Sequence, residues 1–266
     1  EVDMKQPAAV EPKVVVTEVP KSCKSLREIL VLDDASADLF HDMTSRQRAH
    51  CALEFLLQND ITVSHFYQDY WEQKALLIRA TNHRQRLDGF LSLSSIRDLV
   101  HKENHPLYYG QDLNVTRYEK GTDGVRRRVT MDKRTDENDP QVVQSSELWK
   151  YWDQGCSIRL LCPHQHSKAI HSLLSLLELE WGCMVGSNAY LTPAHHAQGF
   201  APHYDDIEAF ILQLEGRKQW KVYEPTTDEV VLPRTSSRDF VSSELPDKPF
   251  LDVVLEPGDV LYIPRG

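Results

Sequence analysis

The residues best placed to do chemistry are in the run Ala201-Pro202-His203-Tyr204-Asp205-Asp206. In an extended chain, side chains two positions apart face the same way, so His203 and Asp205 point together while Tyr204 and Asp206 point away. An imidazole and a carboxylate on one face are two members of the 2-His-1-carboxylate set that holds Fe(II) and leaves positions open for a co-substrate and oxygen. The motif alone is weak, because a chain with 12 histidines and 22 aspartates produces His-x-Asp by chance. Lys218 sharpens it. In Lys218 to Tyr223 one face reads Lys218, Trp220, Val222 and the other Gln219, Lys221, Tyr223. Lys218 thus lies on the apolar side of its strand, and a buried ammonium is costly unless an anion meets it. Either Lys218 snorkels at the strand end, or a carboxylate, such as that of a co-substrate at the neighbouring metal, sits inside.

Geometry sets a condition on this reading. A hairpin turned by Glu215-Gly216 places Gln213 opposite Lys218. A straight strand from His203 to Gln213 would then hold Asp205 roughly 26 Å from that position. The chain must therefore bend soon after Asp206 if Lys218 is to share a ligand with the pair. Other constellations carry less. Cys156, Cys162, His164 and His166 match no common structural zinc spacing. His195-His196 reads as a surface loop, and Arg126-Arg127-Arg128, in the polar stretch 114–139, as a solvated hairpin or loop. No phosphate-binding glycine loop or Ser-His-Asp order stands out.

These residues need elements to hold them. Residues 1–25, with Pro7, Pro12 and Pro20, read as a disordered tail. From Ser45, taken as N-cap, Ala49, Ala52, Leu53, Leu56 and Leu57 recur at helical spacing. His65–Trp71 and Leu93–Leu99 read as short helices and Lys74–Arg79 as a short strand. The clearest helix is Ser167–Trp181, with the stripe Ile170, Leu173, Leu174, Leu177, Trp181 and Gly182 to end it. Ser157–Leu161 reads as a buried strand. After Gly182 the chain reads as short strands: Tyr190-Leu191, Ile207–Leu214, Lys218–Tyr223, Asp252–Leu255 and Val260–Ile263. Glu256-Pro257-Gly258-Asp259 suits a type II turn. Helices first and strands afterwards predict a mainly β fold, a barrel or sandwich preceded by a helical N-terminal part.

Composition narrows the function. The chain has 266 residues, 30 Lys plus Arg against 40 Asp plus Glu, and a formal charge of −10. Bulk charge does not favour nucleic acid; an acidic surface suits a basic partner. No run approaches the roughly 18 apolar residues of a membrane span. Five cysteines suggest no disulfide framework and suit a reducing compartment such as cytosol or nucleus. The chain begins at Glu1 and stops within the apolar pattern Tyr262-Ile263-Pro264-Arg265-Gly266, so it reads as a piece of a longer protein.

Four blocks carry a resemblance. They are Gly186-Ser187-Asn188-Ala189-Tyr190-Leu191-Thr192-Pro193, Gly199 to Phe210 around the His-x-Asp, Gln213 to Lys218, and Glu256 to Gly266. Together they resemble the JmjC-type ribosomal oxygenases, and most nearly the nucleolar branch described as bifunctional histidyl hydroxylases and histone lysine demethylases. The likeness is dense over roughly 156–266 and continuous back to about 45. It implies a double-stranded β-helix (the cupin or JmjC jelly roll) at 156–266, incomplete at its C-terminal end and preceded by an N-terminal α/β portion at 26–155. It also implies Fe(II) and 2-oxoglutarate. His203 and Asp205 match the first two metal ligands. Lys218 matches the lysine that meets the distal carboxylate of 2-oxoglutarate, with Asn188 beside the co-substrate and Arg159 and Tyr190 toward the peptide. The third ligand, a histidine shortly after Pro-Arg-Gly, is expected beyond Gly266, as is the C-terminal region through which the full-length protein forms a homodimer. The implied activity is hydroxylation of a histidine in a large-subunit ribosomal protein, demethylation of methyl-lysine in histone H3, or both. The implied location is the nucleus and nucleolus, in chromatin and transcription regulation, with no direct nucleic-acid contact and no membrane. The competing reading is a cupin-like scaffold in ribosome or chromatin assembly without turnover; it leaves His203, Asp205 and inward Lys218 together without a purpose.

Overall fold

A computed structural model describes residues 26–30, 40–58, 61–80, 84–131, 141–194, 197–225, 227 and 230–266. The expected tail at 1–25 and His195-His196 lie outside the described residues. The helices are α1 (Leu26–Ile29), α2 (Ser45–Leu57), α3 (Val63–Asp69), α4 (Leu93–Val100), α5 (Ser145–Asp153) and α6 (Lys168–Trp181). The strands are β1 (Leu76–Ile78), β2 (Leu113–Lys120), β3 (Arg126–Thr130), β4 (Ser157–Leu161), β5 (Asn188–Leu191), β6 (Ala209–Leu212), β7 (Lys218–Val222), β8 (Leu251–Leu255) and β9 (Val260–Ile263). They form three antiparallel groups, ordered β1-β9-β6, β3-β2-β4-β5 and β7-β8. Pairing crosses the expected boundary at 155/156: β1 joins β9, and β2 joins β4.

The first sheet is held by helices. Thr44 caps α2 in a reciprocal box with Gln47, one residue before the expected Ser45, because the Thr44 hydroxyl accepts from the Gln47 N–H while Gln47 reaches back. The stripe Ala49, Ala52, Leu53, Leu56, Leu57 is buried against Ile170, Leu173, Leu174 and Leu177 of α6 and Val260 and Tyr262 of β9. Burying a side chain of this size contributes roughly 1.5–3 kcal/mol. Phe66 of α3 meets Tyr262 edge-on at 5.0 Å, and Phe210 of β6 lies 5.0 Å from the same ring. Arg86, almost fully buried, ties α2 to the turn before β9. It donates to the carbonyls of Phe55 and Leu56, left open at the helix end, and to that of Gly258. Burial pushes its pKa down to about 10, so the guanidinium stays charged at neutral pH. The turn is as expected: Asp259 N–H donates to the Glu256 carbonyl, and Gly258 takes φ 88. A Cβ there would stand 2.7 Å from that of Ala80.

The second sheet packs one face on α4 and α5. Leu113, Val115, Ile158 and Leu160 are buried with Ile96, Leu99 and Leu148. Here two readings need correction. The polar stretch beginning at Asn114 does form a hairpin, β2 with β3, and Arg126-Arg127-Arg128 is its exposed arm, but β2 is not solvated: it is a largely buried strand pairing on both sides. The Glu215-Gly216 turn does not fold β6 back on β7. Gln213 is bonded to Gly258 and Asp259, while Lys218 pairs with Leu255. The turn hands the chain from one sheet to another. No periodicity marked α5, whose Gln144 N-cap makes no side-chain bond.

Candidate metal centre

Neither His203 nor Asp205 lies in a strand; both sit on a connection that bends at Asp206-Ile207 before β6. The chain does bend soon after Asp206, although the Gln213–Lys218 hairpin from which a bend was expected does not form. The two side chains nevertheless face each other, with His203 Nε2 3.8 Å from Asp205 Oδ2, both partly open to solvent. His203 Nδ1 lies 2.8 Å from the Ala201 carbonyl oxygen. That oxygen can only accept, so in the neutral ring Nδ1 carries the proton and Nε2 keeps its lone pair toward Asp205. The other Asp205 oxygen, Oδ1, accepts from the Ser236 hydroxyl at 3.3 Å. Gly266 N–H donates to the Asp205 backbone carbonyl at 3.1 Å, so the Pro-Arg-Gly segment after β9 returns directly to the pair.

A second grouping adjoins the first. On β2, β4 and β5, Asn114, Arg159 and Tyr190 are direct cross-strand neighbours on the face turned away from the apolar cluster. Arg159 donates to Asn114 Oδ1 at 2.6 Å. The Tyr190 ring meets Phe200 edge-on at 5.3 Å, and the Arg159 guanidinium lies 5.6 Å from the Phe200 centroid. Phe200 can lie this close to the sheet because Gly199 precedes it; a Cβ at 199 would stand 2.4 Å from the Ser157 Cβ. Lys218 projects from β7 onto the same patch. Its Nζ lies 5.8 Å from the Tyr190 centroid and 5.5 Å from that of Trp220, and it donates to Thr192 Oγ1 at 3.0 Å. Burial pushes its pKa down to about 8. Among the described residues the ammonium has this hydroxyl and two aromatic rings, and no carboxylate in ion-pair contact. Asn188 lies on the same β5 face as Tyr190, opposite Leu161, and is exposed.

The structure thus forms the pair His203 and Asp205, and beside it the patch Lys218, Tyr190, Arg159. The segment Phe200-Ala201-Pro202 joins them. Thr192 was legible: it follows Tyr190 by two in extended chain and shares its face. Ser236, 31 residues beyond Asp205, left no trace in the local pattern. His164, from the dismissed zinc spacing, instead meets the Ser187 hydroxyl at 3.2 Å. Among the described residues no third His, Cys, Asp or Glu completes a metal-holding cluster around the pair.

Residues 159–266 match the family model described as JmjC domain. Ribosomal oxygenase 1 of Rattus norvegicus is 42% identical over 235 residues, covering 88% of this chain and 36% of the rat protein. A protein of Culex quinquefasciatus named bifunctional lysine-specific demethylase and histidyl-hydroxylase NO66 is 37% identical over 254 residues, covering 96% of this chain and 36% of its own length. The chain therefore spans little more than a third of these curated relatives. A solved structure of the Escherichia coli ribosomal oxygenase YcfD with cobalt and 2-oxoglutarate has a TM-score of 0.48 at 17% identity, covering 79% of this chain and 47% of that one. The cupin-type fold and the family expected from the four sequence blocks hold for the matched segment: residues 159–266 are a JmjC domain.

Proposed function

We propose that this chain forms the iron- and keto-acid-binding part of an Fe(II)/2-oxoglutarate-dependent oxygenase. The observation that carries the reading is the partly buried Lys218 ammonium, which meets a hydroxyl and two rings where the cost of burial calls for an anion. One carboxylate of a small dicarboxylate would answer both Lys218 and Thr192. The donor set fits iron: an imidazole nitrogen with a free lone pair faces a carboxylate oxygen, and the back of each group is held by a hydrogen bond.

His203 and Asp205 would hold the metal, with a third ligand expected after Gly266. The chemistry that iron and 2-oxoglutarate supply at such a site is hydroxylation of a C–H bond by molecular oxygen, coupled to decarboxylation of the keto acid to succinate. The chain's own residues do the rest. The Ala201 carbonyl holds the His203 proton on Nδ1. Lys218 and Thr192 fix the far end of the keto acid, Asn188 lies beside it, and Tyr190, packed edge-on against Phe200, borders it. Arg159 and Tyr190 orient the incoming peptide.

The relatives' names, ribosomal oxygenase and lysine demethylase with histidyl-hydroxylase, support a basic protein substrate. We read this as a histidine of a large-subunit ribosomal protein, a methyl-lysine of histone H3, or both. Loss of a hydroxylated methyl group as formaldehyde would complete demethylation. The −10 charge suits such partners. A nuclear and nucleolar setting, a role in chromatin and transcription, and a homodimer of the full-length protein belong to the same reading.

The test is mass spectrometry of candidate peptides after incubation with full-length protein, iron and 2-oxoglutarate. A gain of about 16 Da on histidine identifies a hydroxylase, and a loss of about 14 Da on methyl-lysine a demethylase. His203→Ala should abolish 2-oxoglutarate turnover. Turnover retained in that variant overturns the proposal, and a wild-type protein that binds neither metal nor keto acid leaves the scaffold reading in its place.

A further inference from the structure

We propose that Ser236 is a positioning residue for the Asp205 carboxylate, presenting Oδ2 to the metal and keeping Oδ1 away from it; this rests on the metal site proposed above. The segment bearing His203 and Asp205 has no strand of its own, so its backbone must be placed by something else. That role falls to residues 236–240. Ser237 N–H donates to the Tyr204 carbonyl at 2.9 Å, and Tyr204 N–H donates to Ser237 Oγ at 2.9 Å. Phe240 N–H donates to the Pro202 carbonyl at 2.8 Å, and Asp206 N–H reaches Ser236 Oγ at 3.3 Å. The strap is anchored in turn to β3, where Arg128 Nε lies 3.0 Å from Asp239 Oδ2.

Within the strap, one side chain touches the metal ligand. The Ser236 hydroxyl lies 3.3 Å from Asp205 Oδ1 and 2.7 Å from Asp206 Oδ1. It has one proton to donate and lies closer to Asp206, so Asp205 Oδ1 receives the weaker part of a shared bond. With Ser236 on Oδ1, the Asp205 oxygen left toward His203 Nε2 is Oδ2. A carboxylate held from behind at one oxygen binds a metal through the other, and its rotation is restricted before the metal arrives. Partners of this kind are worth about 10–100-fold in metal affinity. Ser236 is exposed, which places its effect at the lower end.

Full-length protein titrated with Co(II), followed calorimetrically and by the metal's visible absorption, separates this proposal from the one it rests on. Wild type should bind and His203→Ala should not; equal binding by both, or by neither, removes the metal site itself. With that contrast in hand, Ser236→Ala should bind about tenfold more weakly and shift the cobalt spectrum. Its metal-free melting temperature should match that of wild type. Ser236→Thr, which keeps the hydroxyl, should bind within about twofold of wild type. Wild-type affinity and spectrum in Ser236→Ala overturn the positioning role while leaving the metal site standing. So does equal loss in the Ala and Thr variants, which would mark Ser236 as a packing element of the strap.

Discussion

The sheet β1-β9-β6 and the pair β7-β8 are built from similar short strands and treated in opposite ways. In β9, Val260, Leu261 and Tyr262 are 0% exposed, with helices on one side and strands on both edges. In β7 no residue is fully buried, and in β8 only Leu255 is. One region excludes water; the other, which carries Lys218, leaves room for a ligand to take water's place. Stability and function are thus divided between them. Ligand-binding elements are drawn from the less stable part of a fold because they must remain accessible.

The sharpest way to break that division is to truncate one apolar side chain on each side of it. Phe66→Ala opens the aromatic cluster around Tyr262 and should cost about 3–5 kcal/mol in urea unfolding. Val222→Ala, on half-buried β7, should cost less than about 1.5 kcal/mol. Equal costs would mean that β7 is as much core as the cluster around Tyr262.

Lys218→Met probes the other side. Burial lowers the folded-state pKa of Lys218 from 10.5 to about 8, so the folded protein holds its proton less tightly than the unfolded chain does. Below pH 8 both states are protonated and the penalty for burying charge is fully present. The variant should then be more stable than wild type by about 1–2 kcal/mol at pH 7. Between about pH 8 and 10.5 the unfolded chain binds the extra proton, so wild type gains stability with rising pH and the gap closes. Keto-acid binding should be lost at every pH. A variant less stable than wild type at pH 7 would show that the lysine serves the fold rather than the site.

Thr44→Ala gives the smallest effect, about 1 kcal/mol, because it removes one cap at an exposed helix start. It should leave metal affinity unchanged, since α2 supports β9 and not the His203 segment.

Local pattern made much of this legible. The stripes of α2 and α6 follow from a 3.6-residue period, and the shared direction of His203 and Asp205 from a two-residue one. The same alternation placed Lys218 on the inner side of its strand and could have placed Thr192 beside Tyr190. The Thr44 cap was missed by one residue because Ser45 offers the same hydroxyl chemistry. The hairpin at 114–130 was legible, but the burial of β2 was not, because its charged residues alternate with buried ones and only pairing with β4 shows which face is inside.

What the order of residues determined by itself was the chemical inventory and its local facing: which side chains could bind metal or anion, and which neighbours they travel with. Only the tertiary structure decided that Gln213 answers Asp259 rather than Lys218, that Ser236 reaches Asp205 across 31 residues, and that Gly266 returns to the same backbone. Alternation along a strand is set by bonded geometry and can be read a few residues at a time. The choice of partner strand depends on which apolar faces can be buried together, and that competition involves the whole chain.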